Sequence, residues 1–143
     1  HKIDYDMAIW CGGVKRGALT DRVNKLLKLE CNFGIPVDEK MKVKNTKNVF
    51  AIGDCAYNRN PPTAQVAYQE GRYLADHLND ISNKEGKPFE FISKGQICYT
   101  GQGKSVYQYT PAFYFSGIFC GYFNKVVHVY NSINIEQMMS FIL

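Results

Sequence analysis

One carboxylate and two amides stand where their types and spacing could do chemistry. Asp54 follows Gly53 at the end of the apolar run Val49-Phe50-Ala51-Ile52, and Gln65 and Gln69 lie one helical turn apart in Pro61-Pro62-Thr63-Ala64-Gln65-Val66-Ala67-Tyr68-Gln69-Glu70-Gly71. A glycine at a strand end keeps a Cβ out of the way of a ligand. The aspartate after it can accept charge-assisted bonds from sugar-like hydroxyls, at the carboxyl edge where open α/β sheets bind their ligands. Asp54 equally fits an ordinary turn or helix-capping residue. Gln65 and Gln69 share one side of a helix and could line a tunnel and hold a carbonyl oxygen; on spacing alone a solvated helix face accounts for them as well.

The elements that must position these groups follow from patterning. Residues 48–52 form a short apolar run between a Lys/Asn-rich turn and Gly53, the pattern of a central strand buried on both faces. Residues 57–62 then lead into a helix over 64–79, with Thr63 as its cap and Pro61 and Pro62 preventing an earlier start. Small residues at Ala64, Ala67 and Gly71 leave a strip that can pack against another backbone or a flat ring. The amino end, Ala64 to Val66, offers N–H donors and partial positive charge to an anionic ligand edge. Upstream, residues 5–10 read as a short strand ending in Cys11-Gly12-Gly13-Val14, whose double glycine permits a tight turn. Residues 20–29 read as a brief helix with Val23, Leu26 and Leu27 on one face, and residues 33–38 and 41–43 as a hairpin turning at 38–40. Downstream, residues 80–87 read as a polar loop. Short β-prone runs at 88–91, 96–100 and 105–109 predict a small antiparallel sheet. The tail from residue 110 gathers Phe113, Tyr114, Phe115, Phe119, Tyr122 and Phe123 near Lys125, His128 and Tyr130, as an amphipathic helix in a headgroup region would; a helix covering the sheet or making a dimer contact fits the same residues.

Composition bounds the classes. The chain has 143 residues, 45% hydrophobic and 21% charged, enough for a globular core. Its formal charge of +4 is spread thinly, without a basic block or base-stacking motif, so no nucleic acid partner is expected. The five cysteines are odd in number and contain no CxxC pair, which indicates neither a disulfide framework nor a zinc site. His77 and His128 lack a carboxylate or cysteine at ligand spacing and read as structural; no metal is expected. The longest apolar stretch of the tail falls short of the ~18–20 residues that span a bilayer.

The Gly53-Asp54-Cys55-Ala56 turn followed by Pro-Pro-Thr-Ala-Gln-Val-Ala-Tyr-Gln-Glu-Gly resembles the second flavin-binding signature of the two-dinucleotide-domain flavoproteins, and its AQxAxQ form is similar to that of the type II, non-proton-pumping NADH:quinone dehydrogenases. Ile9-Trp10-Cys11-Gly12-Gly13-Val14 resembles that family's crossover from the NADH domain to the FAD domain. Pro88-Phe89, Lys94-Gly95, Tyr99 and Gly101 resemble its later PF, KG and Y-x-G pattern. The resemblance implies an α/β, Rossmann-like fold divided into the end of the NADH-binding domain (1–14), the carboxy-terminal part of the FAD domain (15–88), and a small sheet with a membrane-associating amphipathic helix (89–143). It implies FAD as cofactor, NADH as substrate and a membrane quinone as acceptor. Cofactor contacts would come from Gly12, Gly13, Gly53, Asp54, Ala64, Gln65, Val66 and Lys94, and the quinone site from Gln65 and Gln69. A solvated turn lysine is the other reading of Lys94. A homodimer attached peripherally to the mitochondrial inner membrane or the bacterial cytoplasmic membrane is implied as well. The family's two GxGxxG fingerprints do not occur, and the amino end is neither signal-like nor transit-like, so the chain reads as the carboxy-terminal third of a larger protein. Three other readings stay open: a sulfide:quinone oxidoreductase using Cys55 and Cys98, a disulfide reductase, and a non-enzymatic flavin-binding protein.

Overall fold

Asp38 organises the first hairpin. Its Oδ1 accepts the amides of Lys40 at 2.8 Å and Lys42 at 3.0 Å, an Asx-type turn that lets Met41 adopt a left-handed backbone (φ 61°). The chain on either side of the turn forms the expected hairpin through an antiparallel bridge that sets Val37 opposite Val43. The computed structural model describes residues 3–13, 15–79 and 87–132. The chain forms two units, His1–Phe91 and Ile92–Leu143.

In the first unit, α1 (Ala18–Leu26) precedes β1 (Ile35–Pro36), which pairs in parallel with β2 (Ala56–Tyr57). α1 starts and ends earlier than residues 20–29, because Lys28 turns left-handed (φ 53°) and Leu29 N–H closes back on Asn24 O at 2.8 Å. Val23 and Leu27 pack toward the core, but Leu26 is exposed, since it lies about 100° around the helix from the stripe that Thr20, Val23, Asn24 and Leu27 define. Asn24 takes a buried place on that stripe, donating from Nδ2 to Gly34 O at 2.8 Å and Cys31 O at 3.3 Å.

The run at 48–52 is not a two-sided central strand. It is extended and pairs antiparallel with the hairpin through Val43 N–H to Val49 O (2.8 Å), Ala51 N–H to Met41 O (3.1 Å) and a single bridge between Lys42 and Phe50. Ala51 is buried, whereas Val49 is exposed and Phe50 half-buried. A strand buried on both faces needs ladders on both edges and cover on both sides, and among the described residues one edge of this run is paired. Residues 5–10 likewise form no strand: their side chains are exposed and no ladder partner meets them among the described residues. Ile35, Val37, Met41, Val43 and Ala51 make the core, with Ile52, Tyr73 and Phe89 packed against it.

α2 (Ala64–Asn79) has the limits that the sequence predicts, and Thr63 caps it, its Oγ1 accepting Val66 N–H at 3.4 Å and its carbonyl accepting Ala67 N–H at 3.0 Å. Its inward stripe runs from the buried Val66 and Glu70 to the half-buried Tyr73 and His77. Tyr73 stacks on His77 and meets Phe89 edge-on, so residues 88–91 belong to this unit as irregular chain and form no strand. Burial, and secondly the charge of Asp38, push the Tyr73 phenol above its ordinary pKa.

The second unit is a three-stranded antiparallel sheet in the order β3 (Gln96–Gly101), β4 (Lys104–Thr110), β5 (Phe113–Gly117), followed by α3 (Ile118–Ser132). The tail is thus helical only from Ile118. Phe113, Tyr114 and Phe115 form a third strand, because Thr110 Oγ1 accepts Phe113 N–H at 3.1 Å and turns the chain back along β4. α3 lies on the sheet through small and polar residues and through Phe123, whose ring meets those of Tyr107 and Phe115 at 5.6 and 6.0 Å between centroids. Cys120 and Asn124 are buried, Asn124 donates to Ser105 Oγ at 3.1 Å, and Gly121 sits so close to the Gly103 carbonyl that a Cβ would fall 1.8 Å from its oxygen. The aromatic side faces outward, with Phe119 89% exposed. The expected loop at 80–87 lies outside the described residues up to residue 86, as do Val14 and the closing residues 133–143.

Candidate functional site

Gly53 opens a short 3₁₀ turn, Gly53–Cys55, that rests on the middle of α2's small-residue strip. It is left-handed (φ 71°), a conformation that costs any other common residue energy. A Cβ built on it would stand 3.6 Å from Ala67 Cβ, an ordinary contact, so the backbone angle rather than crowding demands glycine here. Gly71 lies farther along the strip, where a Cβ would come no nearer than 4.0 Å to Ile52 Cδ1. The strip at Ala67 and Gly71 therefore packs against the turn and the extended chain before it.

A buried carboxylate holds that turn in place. Glu70, 1% exposed, accepts Gly53 N–H at Oε2 and Asn58 Nδ2–H at Oε1, each at 2.6 Å. These are the short distances of charge-assisted bonds. Asn58 in turn accepts Asn60 N–H at Oδ1 (3.1 Å) and leans on Met41 Sδ (3.5 Å). Neither Glu70 nor Asn58 figures among the sequence-predicted site residues. The readable signal was a glutamate on the same stripe as Val66, Tyr73 and His77, the side of α2 that must be buried; a charge there demands partners.

Asp54, at the tip of the turn, is exposed, as is Cys55, whose thiol leans on Ile52 O at 3.3 Å. Ala64 is exposed at the first turn of α2; Gln65 and Gln69 are half-buried on one side. Val66, expected as a third backbone donor, has a buried side chain, and its amide donates to the Thr63 hydroxyl at 3.4 Å. The structure thus brings Gly53, Asp54 and α2 together through Glu70 and Ala67. Gly12 and Gly13 stand on the exposed segment, Gly13 left-handed (φ 73°) and Gly12 beneath the Trp10 indole, and no hydrogen bond among the described residues ties them to the turn. Lys94 belongs to the second unit, where its carbonyl accepts the Tyr107 hydroxyl at 2.7 Å and its side chain is exposed.

The family model for pyridine nucleotide-disulphide oxidoreductases matches residues 1–71. Among curated relatives, the "Probable NADH dehydrogenase" of Dictyostelium discoideum is 38% identical over 122 residues, which cover 81% of this chain and 26% of that protein. The "External alternative NADH-ubiquinone oxidoreductase, mitochondrial" of Yarrowia lipolytica is 35% identical over 86 residues, 59% of this chain and 15% of the relative. The "Type II NADH:quinone oxidoreductase" of Staphylococcus aureus is 27% identical over 107 residues, 69% and 26%. Over these residues the chain is similar to the type II NADH:quinone oxidoreductases. It spans between 15% and 26% of the length of these relatives.

All five cysteines are free; Cys55 and Cys98 lie in different units. No helix among the described residues is long and apolar enough to cross a membrane. α3 presents Phe119, Tyr122, Val126, Val129 and Tyr130 outward, with the Lys125 ammonium 5.8 Å from the Tyr122 ring centroid.

Proposed function

We infer that this chain is part of an FAD-dependent enzyme that transfers electrons from NADH to a membrane quinone without pumping protons. The observation that carries the reading is the Gly53–Cys55 turn, fixed on α2 with the Asp54 carboxylate exposed at its tip. The residues fit a flavin dinucleotide: a carboxylate acceptor for ribityl hydroxyls stands beside a helix amino end suited to the anionic edge of the ring. When bound, FAD supplies the two-electron relay between nicotinamide and quinone. The chain's own residues do the positioning. Gly53 and Asp54 hold the ribityl-pyrophosphate end, Ala64 and Gln65 offer first-turn amides to the pyrimidine edge with Val66 packing beneath, and the Gln65 and Gln69 amides orient a quinone carbonyl by hydrogen bonding. Gly12 and Gly13 complete the cofactor side in this reading on the family resemblance.

The same reading places the enzyme on a membrane surface as a homodimer, at the mitochondrial inner membrane or a bacterial cytoplasmic membrane. The outward aromatic face of α3 beside Lys125 supports attachment in a headgroup region. The mitochondrial name of the Yarrowia relative and the Staphylococcus relative support the two locations. The test is an assay of the full-length protein for NADH-dependent reduction of a short-chain quinone, before and after FAD is added back. FAD-dependent turnover is expected; turnover indifferent to FAD, or none with quinone, overturns the reading.

A further inference from the structure

We propose that Glu70 is the positioning residue of the flavin-binding turn, its buried carboxylate setting the place of Asp54 by clamping the Gly53 and Asn58 amides together. The proposal rests on the flavin reading above and extends it to a residue that never touches the ligand. Three observations carry it. Glu70 is all but inaccessible, so its partners must come from the protein. Its two oxygens divide their bonds between the two segments that bracket the site, Oε2 to the turn bearing Asp54 and Oε1 to the loop leading into α2. The peptide it grips is the one that needs gripping: Gly53 is left-handed, and a glycine can leave that conformation freely when nothing restrains it.

The clamp also explains Asn58. Its amide must present Nδ2 to Glu70, because Oδ1 is already the acceptor for Asn60 N–H. A glutamine at position 70 would have one acceptor oxygen for two donors, so one of the two segments would be released and the other kept. Alanine would release both and leave two amides with nothing to bond.

The test measures FAD dissociation constants of the full-length protein after flavin removal, for wild type, Glu70→Gln, Glu70→Ala, Asn58→Ala, Asp54→Ala and the Asp54→Ala/Glu70→Ala double variant, with the melting temperature of each apoprotein recorded alongside. Glu70→Ala should raise the FAD Kd about ten- to a hundredfold, the equivalent of losing charge-assisted bonds, and Glu70→Gln and Asn58→Ala should raise it less. Acting through Asp54, the Glu70 substitution should add little once Asp54 is already alanine. Should Glu70→Ala fail to fold, Glu70→Gln and Asn58→Ala, each with and without Asp54→Ala, carry the comparison. A lower melting temperature with wild-type FAD affinity in the folded fraction overturns the proposal, as does full additivity with Asp54→Ala. A wild-type protein that binds no FAD overturns the flavin reading itself, an outcome separate from either of these.

Discussion

Replacing Gly53 by alanine separates two explanations for the glycine: room for a ligand or helix, and freedom of the backbone. The added Cβ would sit 3.6 Å from Ala67 Cβ, so packing against α2 contributes almost no penalty. The left-handed angle of 71° does contribute, at about 1–2 kcal/mol for a residue with a Cβ. The turn cannot escape by rotating to a negative φ, because Gly53 N–H would swing away from the Glu70 carboxylate and forfeit a charge-assisted bond of about 1.5–3 kcal/mol. The cheaper course is to bear the strain, and the cost of Gly53→Ala should be about 1–2 kcal/mol. Asparagine, which tolerates the left-handed region, should cost less than alanine despite its larger size. Urea unfolding of the full-length apoprotein, read from midpoints at unchanged m-value, measures both variants. A neutral alanine would refute the backbone argument outright, and an asparagine worse than alanine would replace it with a steric one.

The same substitution at Gly71 should have the opposite sign. A Cβ there meets nothing closer than 4.0 Å and the residue lies inside α2, so Gly71→Ala should raise the urea midpoint by the equivalent of about 0.5–1 kcal/mol; a decrease would mean the strip is tighter than described. Gly121→Ala should destabilise the second unit by about 1–3 kcal/mol or more, since its Cβ would meet backbone at 1.8 Å, and hydrogen exchange in β4 and α3 should rise while the amides of α2 keep their protection. Tyr73→Phe should cost about 1 kcal/mol at neutral pH through the lost bond to Lys87 O (2.7 Å). Because the folded phenol titrates above its ordinary value of 10.0, its contribution is complete below that pH and fades as pH rises through the raised pKa. Urea midpoints compared on either side of pH 10 should therefore converge between Tyr73→Phe and wild type on the alkaline side; a constant gap would contradict the shift.

The parts that were legible in the sequence are those fixed by neighbours in the chain. Pro61, Pro62 and Thr63 determine where α2 begins, and Asp38 determines the hairpin turn through bonds to Lys40 and Lys42, both local effects. What was not legible depends on partners distant in sequence. Whether 48–52 or 5–10 becomes a strand depends on which edges lie beside it, and apolar periodicity says nothing about that. The run at 113–115 was drawn into the expected tail helix because aromatic residues suit an exposed helix face and an antiparallel strand alike; the Thr110 turn decides between them. At the site, spacing identified the small-residue strip and the Gln65/Gln69 side. The carboxylate joining turn and helix is not legible from spacing, because the partners that make burial of Glu70 possible, Gly53 and Asn58, lie 17 and 12 residues away in the chain.

The most direct test of the account is the flavin content of the full-length protein carrying Asp54→Ala. The exposed carboxylate at the tip of a turn that Glu70 holds against α2 is taken as the group that grips the ribityl chain. Purified in parallel with wild type, the variant should lose its bound flavin absorbance while keeping its circular dichroism and melting profile. Stoichiometric FAD retained by a folded Asp54→Ala protein would contradict the account.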